Sequence, residues 1–257
     1  MKFNQRNVSI SSSAKIGSNV KIGNNTVIYA NVEIGNNTII ANDCVIGEPL
    51  NEYYHDENYE QPKTIIGENS LIRSHAIIYA GSVFGDFFQT GHRVTIRENT
   101  IAGHHCSFGT NNDIQGDCII GNYCRFHSFV NVGQKSIIGD YVFLYPFVVL
   151  TNDPMPPSNN LKGAQIDDYT QVTSGTIVLP GVKIGKHCLI ASNSRVGIDI
   201  SDYSFVSGTP AKLMGDVRKL PLFSDKGRHY PWPQNFDRGM PWEGIGYKIW
   251  QENIEND

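Results

Sequence analysis

The side chains best equipped for chemistry lie in three short stretches. In "CRFHSFVNVG", His127 is an imidazole whose ordinary pKa of about 6.5 would let it take a proton from an attacking amine or hydroxyl. A solvated corner histidine with no role is the alternative. In "TGHRVTIREN", Arg97 can grip a phosphate while His92 and Glu98 hydrogen-bond a sugar or a base. Arg97 and Glu98 could equally form a surface ion pair of little energetic consequence. The third stretch, "VVLTNDPMPPS", holds Asn152 and Asp153 beside three prolines. The five cysteines are odd in number and include no CxxC pair, which argues against a disulfide framework and against a zinc knuckle.

Those residues must be positioned by a scaffold, and a strict repeat supplies one. An aliphatic or aromatic residue, with Thr90 the one exception, returns every six positions from Ile10 to Ile46, from Ile66 to Leu150 and from Ile166 to Val196, which makes 28 hexads. A helix needs a period near 3.6 and a half-buried strand a period of 2, so a period of six fits neither. It fits short strands meeting at tight corners, with three hexads per triangular coil and each side chain stacked on the residue 18 positions away. About nine coils are expected. Cys44, Cys106, Cys118, Cys124 and Cys188 all fall at the fifth hexad position, as small inward-facing packing residues.

Two segments, 47–64 and 151–165, break the register and read as loops extruded from a corner. The solenoid is expected over residues 1–215 and a C-terminal extension over 216–257, with partial helix from about Pro241. That extension keeps all three tryptophans and is expected to cap the open end of the solenoid or to pack on a neighbouring subunit.

Sorting the hexads by their period of 18 separates three corners through their second positions. One reads Gly67, Gly85, Gly103, Gly121, Gly139 and is plain scaffold; His104 and His105 stand on it and read as solvated. The histidine corner reads Arg73, Gly91, Gly109, His127, Tyr145, with His92 beside Gly91. The arginine corner reads Tyr79, Arg97, Gln115, Gly133, Thr151, with Glu98, Gln134 and Asn152 alongside. Across this middle run, polar groups replace the glycine that a tight turn is expected to prefer on two corners only, so ligands are expected on those two edges.

The formal net charge of -4 leaves no general basic field for nucleic acid. The N-terminus has no apolar stretch long enough for a signal peptide, and no run of about 18 apolar residues occurs. These features place the expected location in the cytoplasm, away from membranes.

The hexad pattern over residues 8–215 resembles the hexapeptide-repeat, left-handed β-helix acyltransferases; the handedness comes from that resemblance. Within that family, "VVLTNDPMPPS" and "TGHRVTIREN" resemble the corresponding stretches of nucleotide-linked amino-sugar N-acetyltransferases of the dTDP-3-amino-3,6-dideoxyhexose type. The resemblance implies an acetyl-CoA-dependent transfer to a sugar amine, with His127 and Asn152 catalytic and His92, Arg97, Glu98, Tyr145 and Asp153 holding the nucleotide sugar. By resemblance of "LIASNSRVGIDI" and "GTPAK", Ser174 and Ser192 would lie along the pantetheine arm, with Arg195 and Lys212 near the phosphates. It also implies a homotrimer with sites between subunits, and no metal. Galactoside- and maltose-type O-acetyltransferases tend to carry a histidine where Asn152 and Asp153 stand here. A sugar or serine O-acetyltransferase is the enzymatic alternative. A β-helical carbonic anhydrase would need a His-x4-His pair, which is absent, and an ice-binding solenoid would need a regular threonine ladder, also absent.

Overall fold

The computed structural model describes residues 5–220 and 232–254. The chain winds as a left-handed parallel β-helix. Its first face runs through strands such as Ser9–Ile10, Val27–Ile28 and Thr95–Ile96, and ends at the arginine corner. The second, with Lys15–Ile16 and Ile119–Ile120, leads to the glycine corner, and the third, with Lys21–Ile22 and Arg125–Phe126, leads to the histidine corner. These faces hold ten, nine and eleven strands. Pairing is in register at 18-residue spacing, as in Ile101↔Ile119↔Ile137 and Ser107↔Arg125↔Phe143. The last strand, Lys212–Asp216, turns back antiparallel on Ser204–Ser207 and ends the third face.

Two hexad positions face inward. First-position residues from Ile22 to Val206 are buried. Where the fifth position carries a small donor there is a specific reason: a corner carbonyl of the next coil faces it. Thr26 Oγ1 donates to Ala41 O at 3.0 Å, Thr170 Oγ1 to Gly185 O at 2.7 Å, and Cys106 and Cys124 Sγ to Gly121 and Gly139 O at 3.0 Å each. The five cysteines are therefore packing residues that also satisfy carbonyls left over at the corners. Burial pushes the Cys44, Cys118 and Cys188 thiols up to about 11.

Apart from Gly47 (75°) at the first break in the repeat, the second-position glycines are not where the left-handed turn is made. Positive φ belongs to the fourth hexad position, filled by residues such as Asn37 (59°), Arg93 (54°), Tyr123 (56°) and Phe147 (63°). Second-position glycines are required by proximity instead. A Cβ on Gly121 would lie 2.7 Å from the backbone nitrogen of Asp140, and one on Gly103 would lie 3.0 Å from that of Asn122. Asx side chains at the third position crowd this corner because they accept the preceding coil's N–H, as Asp86 Oδ1 does from Glu68 N at 2.8 Å. His104 takes over that role with Nδ1, accepting from Asp86 N at 3.0 Å.

Both breaks in the repeat leave from the arginine corner: one follows Val45–Glu48 and contains a single 3-10 turn at Asn51–Tyr54, the other follows Val149–Leu150. The described residues of the C-terminal segment do not cover an end of the solenoid. They fold back along the third face, through a 3-10 turn at Trp232–Gln234 and one α-helix, Tyr247–Ile254 (α1). The reason is a column of rings at the fourth position of the glycine corner. Phe87, His105, Tyr123, Tyr141, Tyr169, His187 and Tyr203 stack rung upon rung at 4.5–5.3 Å, an aromatic strip suited to packing by further aromatic side chains. Trp242 packs on Tyr141 at 5.4 Å and Trp232 on Phe143 at 4.9 Å; both tryptophans are buried. Their indole N–H groups are satisfied, Trp232 by Tyr169 O and Trp242 by Phe236 O, at 2.8 Å each.

Candidate functional site

The returning segment converts an open face into a cleft of about 710 Å³. Its floor is the outward row of the third face: Gln89, Ser107, Arg125, Phe143 and Gln171. One wall is the histidine corner, with Arg73, Gly91, Thr110, His127 and Tyr145. The opposite wall is the C-terminal segment, with Trp232, Asn235, Phe236 and Arg238.

His127 enters the cleft at the second position of its corner, stacked on Tyr145 of the next coil. Burial first, and then the positive charge of Arg125, hold the His127 imidazole below its ordinary pKa. It is therefore neutral at pH 7, the form that accepts a proton. Burial raises the Tyr145 phenol, which stays protonated and presents a donor.

The remaining sequence-derived candidates fall into three places. His92 sits on the same corner beside Gly91, exposed, its backbone N–H on Thr110 Oγ1 at 3.3 Å. Ser174 and Ser192 continue that corner on the C-terminal side, where Ser192 Oγ donates to Thr173 Oγ1 at 3.1 Å. Arg195 points outward from the first face at the last full coil, and the Ala211 N–H on its carbonyl, 2.9 Å, brings the start of Lys212–Asp216 against it. Along one edge, the order is thus Arg73, His127, Tyr145, Ser174, Ser192.

Arg97, Glu98, Asn152 and Asp153 stand elsewhere, on the arginine corner, across the whole first face from His127. Within one chain the two sets are not brought together. The Arg97 guanidinium is paired with Glu98, Nη2 to Oε1 at 2.7 Å and Nε to Oε2 at 3.0 Å, so its charge is already matched. Asp153 shapes its own loop. Its carboxylate accepts Ser158 Oγ and Ser158 N at 2.7 Å each and Met155 N at 3.0 Å, and the Ser158 bond leads the causes that lower its pKa. The Asn152 carbonyl accepts Lys162 N at 2.7 Å and closes the base of that loop.

Sequence reasoning missed Arg125, Phe236, Arg238 and Trp232. Arg125 sits at the sixth hexad position, where any solvated residue is allowed, and the other three lie more than 100 residues away along the chain. The only available signal was the concentration of aromatic residues in the last stretch. No group of histidine, cysteine or carboxylate side chains suited to a metal occurs among the described residues. Among the same residues, no helix is long and apolar enough to cross a membrane.

Comparison with known proteins gives a fold and little more. The family model of the GMPPB C-terminal domain matches residues 4–107, less than half of the chain. No curated protein matches. Among solved structures, a UDP-N-acetylglucosamine acyltransferase from Arabidopsis superposes with a TM-score of 0.54 at 17% identity, covering 84% of this chain and 74% of its own. A second UDP-N-acetylglucosamine acyltransferase gives 0.45 at 21%, covering 80% and 70%, and one from Bacteroides fragilis gives 0.40 at 19%, covering 84% and 74%.

Proposed function

We propose that the protein is an acyltransferase that moves an acetyl group from acetyl-CoA to the amine of a nucleotide-linked deoxyamino sugar, of the dTDP-3-amino-3,6-dideoxyhexose type. The observation that carries this reading is a neutral imidazole, His127, set between two groups of candidate ligand contacts on one edge. Its neutrality follows from burial and from Arg125. The fold shared with a sugar-nucleotide acyltransferase agrees with it.

In this reading the sugar amine attacks the thioester carbonyl, a C–N bond forms, the C–S bond breaks, and the nitrogen's proton passes to His127 while coenzyme A leaves as thiolate. Holding both substrates along one groove supplies most of the acceleration. Backbone N–H groups stabilise the oxyanion. Acetyl-CoA would lie toward Ser174, Ser192, Arg195 and Lys212, and the acceptor toward His92 and the cleft. Arg97, Glu98, Asn152 and Asp153 can join this site only from another chain, so the reading includes a homotrimer. The outward isoleucines of the second face, Ile101, Ile119 and Ile137, are 45–52% exposed on successive rungs, an apolar stripe suited to burial between copies.

The test is acetyl-CoA consumption across a panel of nucleotide-linked amino sugars, with free sugars and serine in parallel. Turnover with an amino sugar supports the reading. Turnover with hydroxyl acceptors alone replaces it by the O-acetyltransferase.

A further inference from the structure

The cleft contains more positive charge than His127 needs. Arg73, Arg125 and Arg238 all line it, and among the described residues none of the three forms an ion pair. Arg125 is held in place by the C-terminal segment. Its guanidinium lies between Phe143 of the third face, 6.0 Å from the ring centroid, and Phe236, 5.4 Å, and its Nη2 donates to the Arg238 carbonyl. Arg238 approaches the same Phe236 ring at 5.9 Å, so two like charges share one aromatic platform. Glu243, whose field does reach Arg125, has its carboxylate on the Gly239 N–H at 2.8 Å. Burial and the Arg238 charge both disfavour the charged form of Arg125. Such an arrangement is costly in the empty protein and becomes favourable once an anion enters.

We infer that the cleft between the third face and the Trp232–Arg238 segment is a binding site for an organic diphosphate, gripped by Arg73, Arg125 and Arg238. Three separated guanidiniums fit the several oxygens of a diphosphate better than a single carboxylate. Two sources share this chemistry, a nucleotide-linked acceptor and coenzyme A. The acceptor is favoured by position: Arg73 lies three rungs, about 14 Å, before His127 along the corner, whereas Ser174 and Ser192 lie beyond it. This choice of source rests on the acyl-transfer reading; the anion site itself does not.

Calorimetric titration of the full chain with dTDP, UDP, coenzyme A and inorganic phosphate tests the site without any turnover. Nucleoside diphosphates are expected to bind, more weakly as salt rises. Arg73→Gln and Arg238→Gln should each weaken them by about ten- to a hundredfold, the effect of losing a charge-assisted contact. Arg73 is exposed and, among the described residues, its side chain makes no hydrogen bond or ion pair, so its variant remains interpretable even if Arg125→Gln loosens the C-terminal segment. Lys15→Gln, remote on the first coil, should leave affinity unchanged. Loss of coenzyme A binding in the same variants, with nucleoside diphosphates not binding, keeps the site and reassigns its source to the donor. Failure of both compounds to bind, inorganic phosphate binding as tightly as either, or affinity untouched by Arg73→Gln and Arg238→Gln overturns the inference. Acetyl transfer observed alongside such a failure leaves the acyl-transfer reading standing, and diphosphate binding without thioester consumption does the reverse.

Discussion

The imidazole of His127 and the phenol ring of Tyr145 lie one rung apart on the histidine corner, 4.8 Å between centroids and 11° from parallel. The stack fixes the plane of the imidazole and shields one of its faces from water. Shielding is what lowers its pKa first, with Arg125 second.

That ordering predicts a pH profile. Because the folded pKa is depressed, the base stays active below the ordinary histidine value of about 6.5 and is lost only as pH falls through the lowered value. The acidic limb of kcat/KM for acetyl transfer should therefore have its midpoint below that of a free imidazole. Tyr145→Ala opens the face to water and should move the limb to higher pH. A limb above the ordinary value in the unsubstituted protein would contradict the environment described here.

The repeat made most of the scaffold legible, because one register fixes the first and fifth hexad positions together, as Ile120 and Cys124 show. Two features differ between sequence and structure. Gly121 looked like a turn residue, yet the turn is made two residues later at Tyr123, and the glycine is there because the next coil passes too close. Trp232 and Trp242 were expected at an end of the solenoid or on a neighbour. Their docking strip, Tyr141 and Tyr169 among others, is built of residues 28 apart through a loop and cannot be seen until the coil is closed. The cleft shares that difficulty, since Arg125 and Arg238 meet only after the chain returns.

The two roles in one corner give opposite stability changes. Gly91→Ala places a Cβ 2.7 Å from the Gly109 carbonyl carbon, and should destabilise by about 1–3 kcal/mol, as overpacking does. Arg93→Gly, two residues on, removes a left-handed non-glycine conformation at φ 54° and should stabilise by up to about 1 kcal/mol after the entropy of glycine is subtracted. Thermal unfolding of both variants checks the pair. Equal shifts of the same sign would mean that the corner was misassigned.

Alkaline pH should weaken the fold through the cysteines. Cys44, Cys118 and Cys188 have folded pKa values raised to about 11 from an ordinary 9.0, so between those values the unfolded chain has lost protons that the native one keeps. Their contribution is complete below pH 9 and falls as pH rises toward 11. Cys44→Ser and Cys188→Ser should flatten that decline while keeping a donor at the fifth position. Denaturant unfolding at several pH values measures it, and thiol labelling of the native protein at neutral pH should be slow at all five positions.

The separation of His127 and Asn152 by the first face leads to the sharpest test of the proposed site. His127→Asn should lower turnover on a competent amino sugar by about ten- to a thousandfold, because general base catalysis is worth about 10²–10⁴ and a neutral amine keeps nucleophilicity without it. Asn152→Ala should also lower turnover if its amide orients the amine, and Arg97→Ala should raise KM more than it lowers kcat, because a phosphate grip is made in both ground and transition states. If each site takes His127 from one chain and Asn152 from another, oligomers mixed from His127→Asn and Asn152→Ala subunits contain some sites with both residues intact. Co-expression should then restore part of the activity that each variant lacks alone. No restoration, with both single variants impaired and mixed oligomers verified by mass, would contradict a site shared between chains, and full turnover in Asn152→Ala alone would remove the arginine corner from the chemistry.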